Sequence, residues 1–308
     1  MTAIARRELG AHTAVLGGID RGKYPHGNSL LVRGGEETVV IDPSLTLAEA
    51  PGVPPADRVL NSHCHEDHVA GNGRYPDASW HLPEADLAGI RSLDGLMAIY
   101  GFDGEIDADF RRVVVERFHF MPRATARGFA PDAVFDLGGG VTVRAIAAPG
   151  HTRGHTCFHV EPDDVVYLGD IDLSSFGPYY GDAWSSLADF ERTLATVRDL
   201  DARWYATFHH VGVLEGRDAF REKLARFAAV IARREAALLE YLKVPRTLGE
   251  IAGHRFVYRP GDPVAFAEPV ERRSMGQHLD RLEAAGRVVQ AEPGRYVVRD
   301  AASASTAG

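Results

Sequence analysis

The sequence predicts an α/β protein: two mixed β-sheets packed face to face between outer helices, an αββα sandwich, followed by a small C-terminal domain. Three observations predict it. Short apolar runs bounded by Gly, Pro and Asp turns come in two groups, one over roughly residues 29–82 and one over roughly 133–170 with a later member near 204. Helical patterns follow each group. Residues of metal-ligand type stand at the ends of the apolar runs.

SLLVRGG and EETVVIDPS read as two strands joined at a Gly-Gly turn, the second closing on an Asp-Pro turn. ADRVLNSH is a buried strand, and PDASWHL (76–82) another. From 83 to 131 the texture changes to helical patterns, EADLAGIRSLDGLMAIYG and DADFRRVVVERF, broken by Gly and Pro. AVFDLGGGVTVRAIAAPGH returns to strand, turn, strand, and TCFHVEPDDVVYLGD is a hairpin. SLADFERTLATVRDL is an amphipathic helix, ARWYATFHH a strand entering a loop, and GRDAFREKLARFAAVIARREAALLEYL a long amphipathic helix. After residue 243, TLGEIAGHRF and SMGQHLDRLEAAG read as two short helices, and RVVQAEPGRYVVRD as a hairpin turning at Pro293-Gly294. The expected division is a catalytic domain over 1–243 with a cap-like insertion at 83–131, a winged-helix-like domain over 244–300, and a disordered small-residue tail at 301–308.

At 308 residues the chain can bury a large core. No apolar run has the roughly 20 residues of a membrane span, and the N-terminus does not read as a signal peptide. Two cysteines, Cys64 and Cys157, make no disulfide framework. These features predict a cytoplasmic enzyme or binding protein without a membrane partner. A net charge of −9 argues against a nucleic-acid backbone as the main partner.

The chemistry is concentrated in 61-NSHCHEDHVAGN-72, with six consecutive residues of ligand type. Imidazole and carboxylate suit zinc and similar divalent ions. In an extended segment residues i and i+2 share a side, so His63 and His65 reach one ion and Cys64 faces the core. The chain then turns, and Asp67 and His68 point toward a second ion. Glu66 is expected to face away from the ions. Further ligand-type residues end later strands: His151 in PGHTRGHT, Asp170 in VYLGD, and His209 and His210 in FHHVGVL.

HCHEDH resembles the HxHxDH signature of the metallo-β-lactamase superfamily, and APGHTRGHT, VYLGD and the FHH loop resemble its later motifs in the right order, over about residues 10–240. The resemblance implies an αββα metallo-β-lactamase sandwich with a two-metal site at the sheet edge. His63, His65 and His151 would hold one ion, and Asp67, His68 and a last histidine the other, with Asp170 bridging. Aligning the apolar pair Val213-Leu214 makes His210 that last ligand. Aligning the strand end makes it His209, and His210 is the residue expected here. Asp42 would support the metal loop by hydrogen bonds, and His155 would act from behind the ligands. The implied ions are two divalent metals, zinc first, with iron or manganese compatible. A bridging aspartate points to the hydrolase branch that includes hydroxyacylglutathione hydrolases, lactonases and phosphodiesterases, acting through a hydroxide held by two metals. Asp67 is also a candidate to orient that nucleophile or relay a proton. Tyr179 and Tyr180, just after Asp170, are candidates for a substrate or oxyanion contact, with packing as the alternative.

The insertion offers Leu96, Met97, Tyr100, Phe102, Phe118, Phe120 and Met121 as candidates for a pocket wall, most of which must bury the insertion's own helices. A cap over the metals suits a small ester, thioester or lactone. The C-terminal unit resembles the winged-helix tail of a lactamase-like group with nuclease members, which keeps a phosphodiesterase and a DNA-binding regulator as alternatives. Its nine arginines against eight acidic residues leave it weakly charged. It is therefore read as a packing, homodimer or pocket-completing element rather than a nucleic-acid binder.

Overall fold

Successive side chains of a strand point to opposite faces, and the apolar runs here use both faces. Leu30, Val32, Val39, Ile41 and Leu60 point one way and meet Phe158, Val160, Tyr167 and Trp204 of a second sheet. Their neighbours Leu31, Val40 and Val59 point the other way, against helical residues such as Ile90, Leu96, Ile99, Phe110 and Val114. The second sheet does the same: Cys157, Val166 and Tyr205 turn outward onto Phe190, Leu194, Phe220 and Phe227. The expected four-layer αββα order follows from these three cores.

The computed structural model describes residues 4–299, and the tail expected at 301–308 lies outside them. The first sheet runs in chain order through β1 (Ala5–Glu8), β2 (Thr13–Gly17), β3 (Ser29–Arg33), β4 (Thr38–Ile41), β5 (Arg58–Leu60), β6 (Ser79–Pro83) and β7 (Arg127–Phe129). It is antiparallel as far as β4 and parallel beyond. The second sheet is built from β8 (Val134–Asp136), β9 (Thr142–Ala147), β10 (Thr156–Glu161), β11 (Val165–Tyr167), β12 (Trp204–Ala206) and β13 (Val213–Glu215), also in chain order. Only β11 and β12 pair in parallel there. The helices are α1 (Leu45–Glu49), α2 (Glu66–Val69), α3 (Leu87–Arg91), α4 (Leu93–Tyr100), α5 (Gly104–Glu116), α6 (Leu187–Val197), α7 (Arg217–Tyr241), α8 (Leu248–His254) and α9 (Ala267–Ala284). No helix among the described residues is long and apolar enough to cross a membrane.

The segment 83–131 is helical as expected through α3, α4 and α5, but it ends in β7, which extends the first sheet. The C-terminal unit holds α8, α9 and a three-stranded sheet in the order β14 (Arg246–Thr247), β16 (Arg295–Val298), β15 (Val288–Glu292). Its first helix opens on a capping box: Thr247 Oγ1 accepts from Glu250 N, and Glu250 Oε2 accepts from Thr247 N. Leu238 and Leu242, in the last turn of α7 and just beyond it, are buried among Ile251, Met275, Leu279 and Val288, so one long helix serves both cores.

Helix α9 locks this unit against the site. Arg273 Nη1 donates to Tyr100 O at 2.8 Å, and Gln277 Nε2 donates to Tyr180 O at 2.9 Å. The buried Glu271 carboxylate accepts three backbone N–H groups, from Phe256 (2.9 Å), Val257 (2.9 Å) and Tyr258 (2.8 Å). Replacing Glu271 with alanine removes the acceptor of all three part-buried groups, and a donor left unpaired where water cannot reach it costs about 1–3 kcal/mol before relaxation. The expected result is a loss of about 3 kcal/mol in urea unfolding, with a smaller loss for Glu271→Gln. An unchanged midpoint for Glu271→Ala would contradict it.

Candidate metal centre

The site forms where β5, β9, β11 and β12 end. After β5 the chain bends at Ser62 and His63, is extended at His65, and then enters α2, which carries Asp67 and His68. His63 and His65, before the helix, fall in one donor group, and Asp67 and His68, on it, fall in the other. His63, His65, His151 and Asp170 place donor atoms within 4.8 Å of one another, and Asp67, His68 and His209 form a second such group. The Asp170 carboxylate stands between them. Its Oδ2 lies 3.1 Å from His151 Nε2 and its Oδ1 lies 2.9 Å from His68 Nε2. Asp170 follows Gly169, whose φ of +53° favours glycine and where a Cβ would come within 2.7 Å of His155 Nε2.

Hydrogen bonds occupy the outer nitrogens of His63, His68, His151 and His209. His68 Nδ1 donates to Asp42 Oδ2 at 2.8 Å, and His151 Nδ1 to Tyr179 O at 3.0 Å. His209 Nδ1 donates to Gly22 O at 2.9 Å. Ser62 Oγ gives its proton to Asp42 Oδ2 and so accepts from His63 Nδ1 at 3.0 Å. His65 turns Nε2 to Asp182 Oδ2 at 3.1 Å, a contact off the N–H axis. The inner nitrogens are the ones turned to the centre, where an ion would take the place of any proton they carry.

His63 Nε2 is buried and has no partner at all. Burial, then the neighbouring His68, His65 and His151, hold that ring well below the ordinary histidine range, so it is neutral. A buried neutral imidazole nitrogen without a partner is costly unless something electrophilic meets it. The donor set fits divalent metal ions on this observation.

The carboxylates answer with the opposite sign. Burial alone would lower His68, but Asp170, Asp42 and Asp67 hold it well above its usual value. Burial alone would raise Asp170, but His68, His209 and His151 hold it well below the usual range. Behind them His155 is pushed down to about 3, by burial and then by His151. Its Nδ1 donates to Ala148 O, and its Nε2 accepts from Asp170 N at 3.0 Å. It orients the Asp170 backbone from behind, as expected.

Two expectations are corrected. His209, not His210, completes the second group: its Nε2 lies 3.0 Å from Asp67 Oδ2. Phe208 stacks on His68 with centroids 3.6 Å apart, which sets the next side chain, His209, toward the centre. His210 sits at φ +46° and turns out to the rim. Tyr180 is not in the pocket either. It is buried, and its hydroxyl lies 3.0 Å from His278 Nε2 of α9, so it packs the C-terminal unit. Tyr179 does line the pocket, but its hydroxyl proton goes to Asp182 Oδ1 at 2.9 Å.

Other placements follow the sequence more closely. Cys64 is fully buried. Asp42 accepts from Ser62 N (2.7 Å), Ser62 Oγ (2.6 Å), His68 Nδ1 (2.8 Å) and Tyr167 OH (3.1 Å). Glu66 is in neither ligand group, yet it lines the pocket, where its carboxylate accepts from the hydroxyls of Tyr24 and Tyr100. Of the seven apolar insertion residues, Tyr100 and Phe102 reach the pocket. Sequence reasoning missed Asp182, and also Asp86, which binds Thr152 Oγ1 at 2.6 Å and Gly154 N at 2.8 Å to seat the His151 loop.

The cavity above the two ligand groups is about 300 Å³, and aromatic side chains make up much of its wall. Tyr100, Phe102 and Phe110 of the insertion meet Tyr258 and Phe266 of the C-terminal unit, with Phe102 and Phe266 stacked at 5.5 Å.

Residues 24–232 match the family model described as the metallo-beta-lactamase superfamily. The chain is 30% identical over 177 residues to the N-acyl homoserine lactonase AttM of Agrobacterium fabrum, covering 55% of this chain and 62% of the lactonase. It thus spans less than two thirds of that relative. It is 28% identical over 213 residues to a hydroxyacylglutathione hydrolase of Methylococcus capsulatus, covering 67% of this chain and 69% of that one. In three dimensions it matches a metallo-beta-lactamase family protein from Thermus thermophilus with a TM-score of 0.71 and 24% identity, over 95% of this chain and 100% of the other. That likeness is one of fold.

Proposed function

The chain belongs to the metallo-beta-lactamase superfamily, and from that premise we propose that it is a two-metal hydrolase of a small ester, thioester or lactone. One observation carries the reading. A single carboxylate, Asp170, presents one oxygen to each of two ligand groups. His63, His65 and His151 would hold one ion, and Asp67, His68 and His209 the other. Zinc is the expected pair, with iron and manganese compatible with the same donors.

Bound there, such ions would supply Lewis-acid polarisation of a carbonyl oxygen and would lower the pKa of a bound water from about 15.7 toward roughly 7. The rest falls to the chain. The outer N–H bonds of His63, His68, His151 and His209 hold their rings in place before substrate arrives. Asp67 keeps Oδ2 against His209, and its Oδ1 makes no hydrogen bond among the described residues. That oxygen is placed to orient the attacking water and take its proton. Tyr179 acts through Asp182, holding it beside His65. The aromatic cavity strips water from an apolar substituent next to the reacting carbonyl.

The named relatives include a lactonase and a glutathione thioester hydrolase, which supports this range of substrates. The C-terminal unit, read as a winged-helix-like module, supplies one wall of the cavity in this proposal. A cytoplasmic location is consistent with two cysteines that are both buried and unpaired.

The test joins metal analysis to a panel of lactone, thioester, β-lactam and phosphodiester substrates. The purified protein should hold two ions per chain. Chelation should abolish turnover of a lactone or thioester, and zinc, iron or manganese should restore it. Undiminished turnover by the metal-free protein would overturn the proposal.

A further inference from the structure

A groove of about 1050 Å³ runs beside the metal cavity. Phe176, His210 and Tyr258 line both and form their common wall. The groove is lined by seven lysines and arginines and two aspartates, in a chain with 34 basic and 43 acidic residues. It is therefore opposite in sign to the molecule as a whole. Its cations converge from separate parts of the chain: Arg21 and Lys23 after β2, Lys223 and Arg233 on α7, and Arg259 after α8.

Arg234 and Arg255 are committed to backbone carbonyls, Arg234 to Phe176 O at 2.8 Å and Arg255 to Asp262 O at 2.8 Å. The other five make no ion pair among the described residues. Seven cations against two carboxylates in one concave surface repel one another and concentrate anions. A polyanion laid along them relieves that repulsion. Across the shared wall the metal cavity has the opposite character, aromatic and apolar, and at about 300 Å³ it has the size of an acyl group rather than of a nucleic-acid strand.

We propose that the substrate is an acyl thioester of a phosphate-bearing carrier, with its acyl group in the aromatic cavity, its carbonyl at the metal centre and its phosphates in the basic groove. The inference rests on the hydrolase reading above and narrows its substrate. In the reaction, the oxygen of water bonds to the acyl carbon and the carbon–sulfur bond breaks. One proton of the water ends on the thiol sulfur, and the other leaves the new carboxylic acid for solvent. No oxidant or further reactant is needed.

Two thioesters with one acyl group separate the contributions: hexanoyl-coenzyme A, which carries phosphates, and the hexanoyl thioester of N-acetylcysteamine, which carries none. With the metal-loaded full chain, KM should be at least about tenfold lower for the coenzyme A thioester, and the advantage should shrink as salt rises. Combining Lys223→Glu, Arg233→Glu and Arg259→Glu should bring the ratio of the two KM values close to one. A ratio near one in the unmodified protein overturns the proposal. So does a protein that hydrolyses lactones and neither thioester, which leaves the hydrolase reading standing. Should nothing in the panel be hydrolysed, the hydrolase reading falls with its substrate, and calorimetry with coenzyme A tests the groove alone. Binding lost on charge reversal keeps the groove as a phosphate site, and no binding removes it. Tighter binding of a single-stranded oligonucleotide than of coenzyme A, through the same three cations, also overturns the proposal in favour of nucleic acid.

Discussion

Replacing Asp170 with alanine is expected to empty both halves of the metal centre at once. The reason lies in its position between the groups. Oδ1 is 2.9 Å from His68 Nε2 and 3.8 Å from His209 Nε2, while Oδ2 is 3.1 Å from His151 Nε2. No other carboxylate among the described residues is shared in this way. Its removal takes one ligand from each ion and the charge that balances the surrounding imidazoles. The metal content of Asp170→Ala should fall from two ions per chain to well below one, measured by emission spectroscopy on protein desalted from excess zinc. Turnover should drop at least about a thousandfold, because metal assistance contributes several kcal/mol and each 1.36 kcal/mol is tenfold. Two further variants separate the adjacent histidines: His209→Ala should lose one ion, and His210→Ala should keep both. Retention of two ions by Asp170→Ala would sink the two-metal proposal.

The ligand loop was legible because its information is local. His63 and His65 come just before a short helix and Asp67 and His68 lie on it, so their order along one loop is enough to divide them. His151 and Asp170 were legible because each ends an apolar run. The last histidine was not, because the choice between His209 and His210 depends on a loop rather than on strand periodicity. Thr207 N bonds Gly212 O at 2.7 Å to close that loop, and Phe208 is held under His68. Neither contact leaves a mark in the sequence. Asp182 and Asp86 were missed for a related reason. Both act on residues far away in the chain, His65 and the loop after His151, and Asp182 stands in an irregular segment with no periodicity to read.

The fold shows the same limit at the level of elements. β7 and β13 have three residues each, too few for an alternating pattern to stand out. Helix α9 begins seven residues before SMGQHLDRLEAAG, at Ala267. Pro269 falls in its first turn, where backbone N–H groups have no helical partner, so the proline does not stop the helix. Those added turns carry Val270, Glu271 and Arg273, the residues that tie the C-terminal unit to the cavity. The reading of that unit as pocket-completing therefore gains its support from residues the helix pattern had left out.

Replacing Asp42 with alanine is expected to cost about 3–5 kcal/mol of stability even in metal-free protein. Asp42 is fully buried at the end of β4, and among the described residues the His68 imidazole is the one basic group that pairs with it. Its carboxylate accepts four hydrogen bonds, from Ser62 N, Ser62 Oγ, His68 Nδ1 and Tyr167 OH. These partners belong to the metal loop of the first sheet and to β11 of the second, so one side chain joins the two sheets at the site. Truncation leaves buried donors without an acceptor, each costing about 1–3 kcal/mol before relaxation, and breaking a buried ion pair alone costs about 3–5 kcal/mol. Asp42→Asn separates geometry from charge. Its backbone φ of +47° suits asparagine as well as aspartate. The amide oxygen can still serve Ser62 N, but its NH₂ then faces groups that are themselves donors. The asparagine variant should lose less stability than alanine, yet His68 would no longer have an acceptor holding its Nδ1–H. Loss of such an outer partner weakens metal binding by about 10–100-fold. Urea unfolding of the metal-free variants measures the first effect, and competition with a zinc chelator measures the second. Unfolding of Asp42→Ala within about 1 kcal/mol of the unmodified protein, or unchanged zinc affinity in Asp42→Asn, would mean that the metal loop is held by the fold around it and not by this carboxylate.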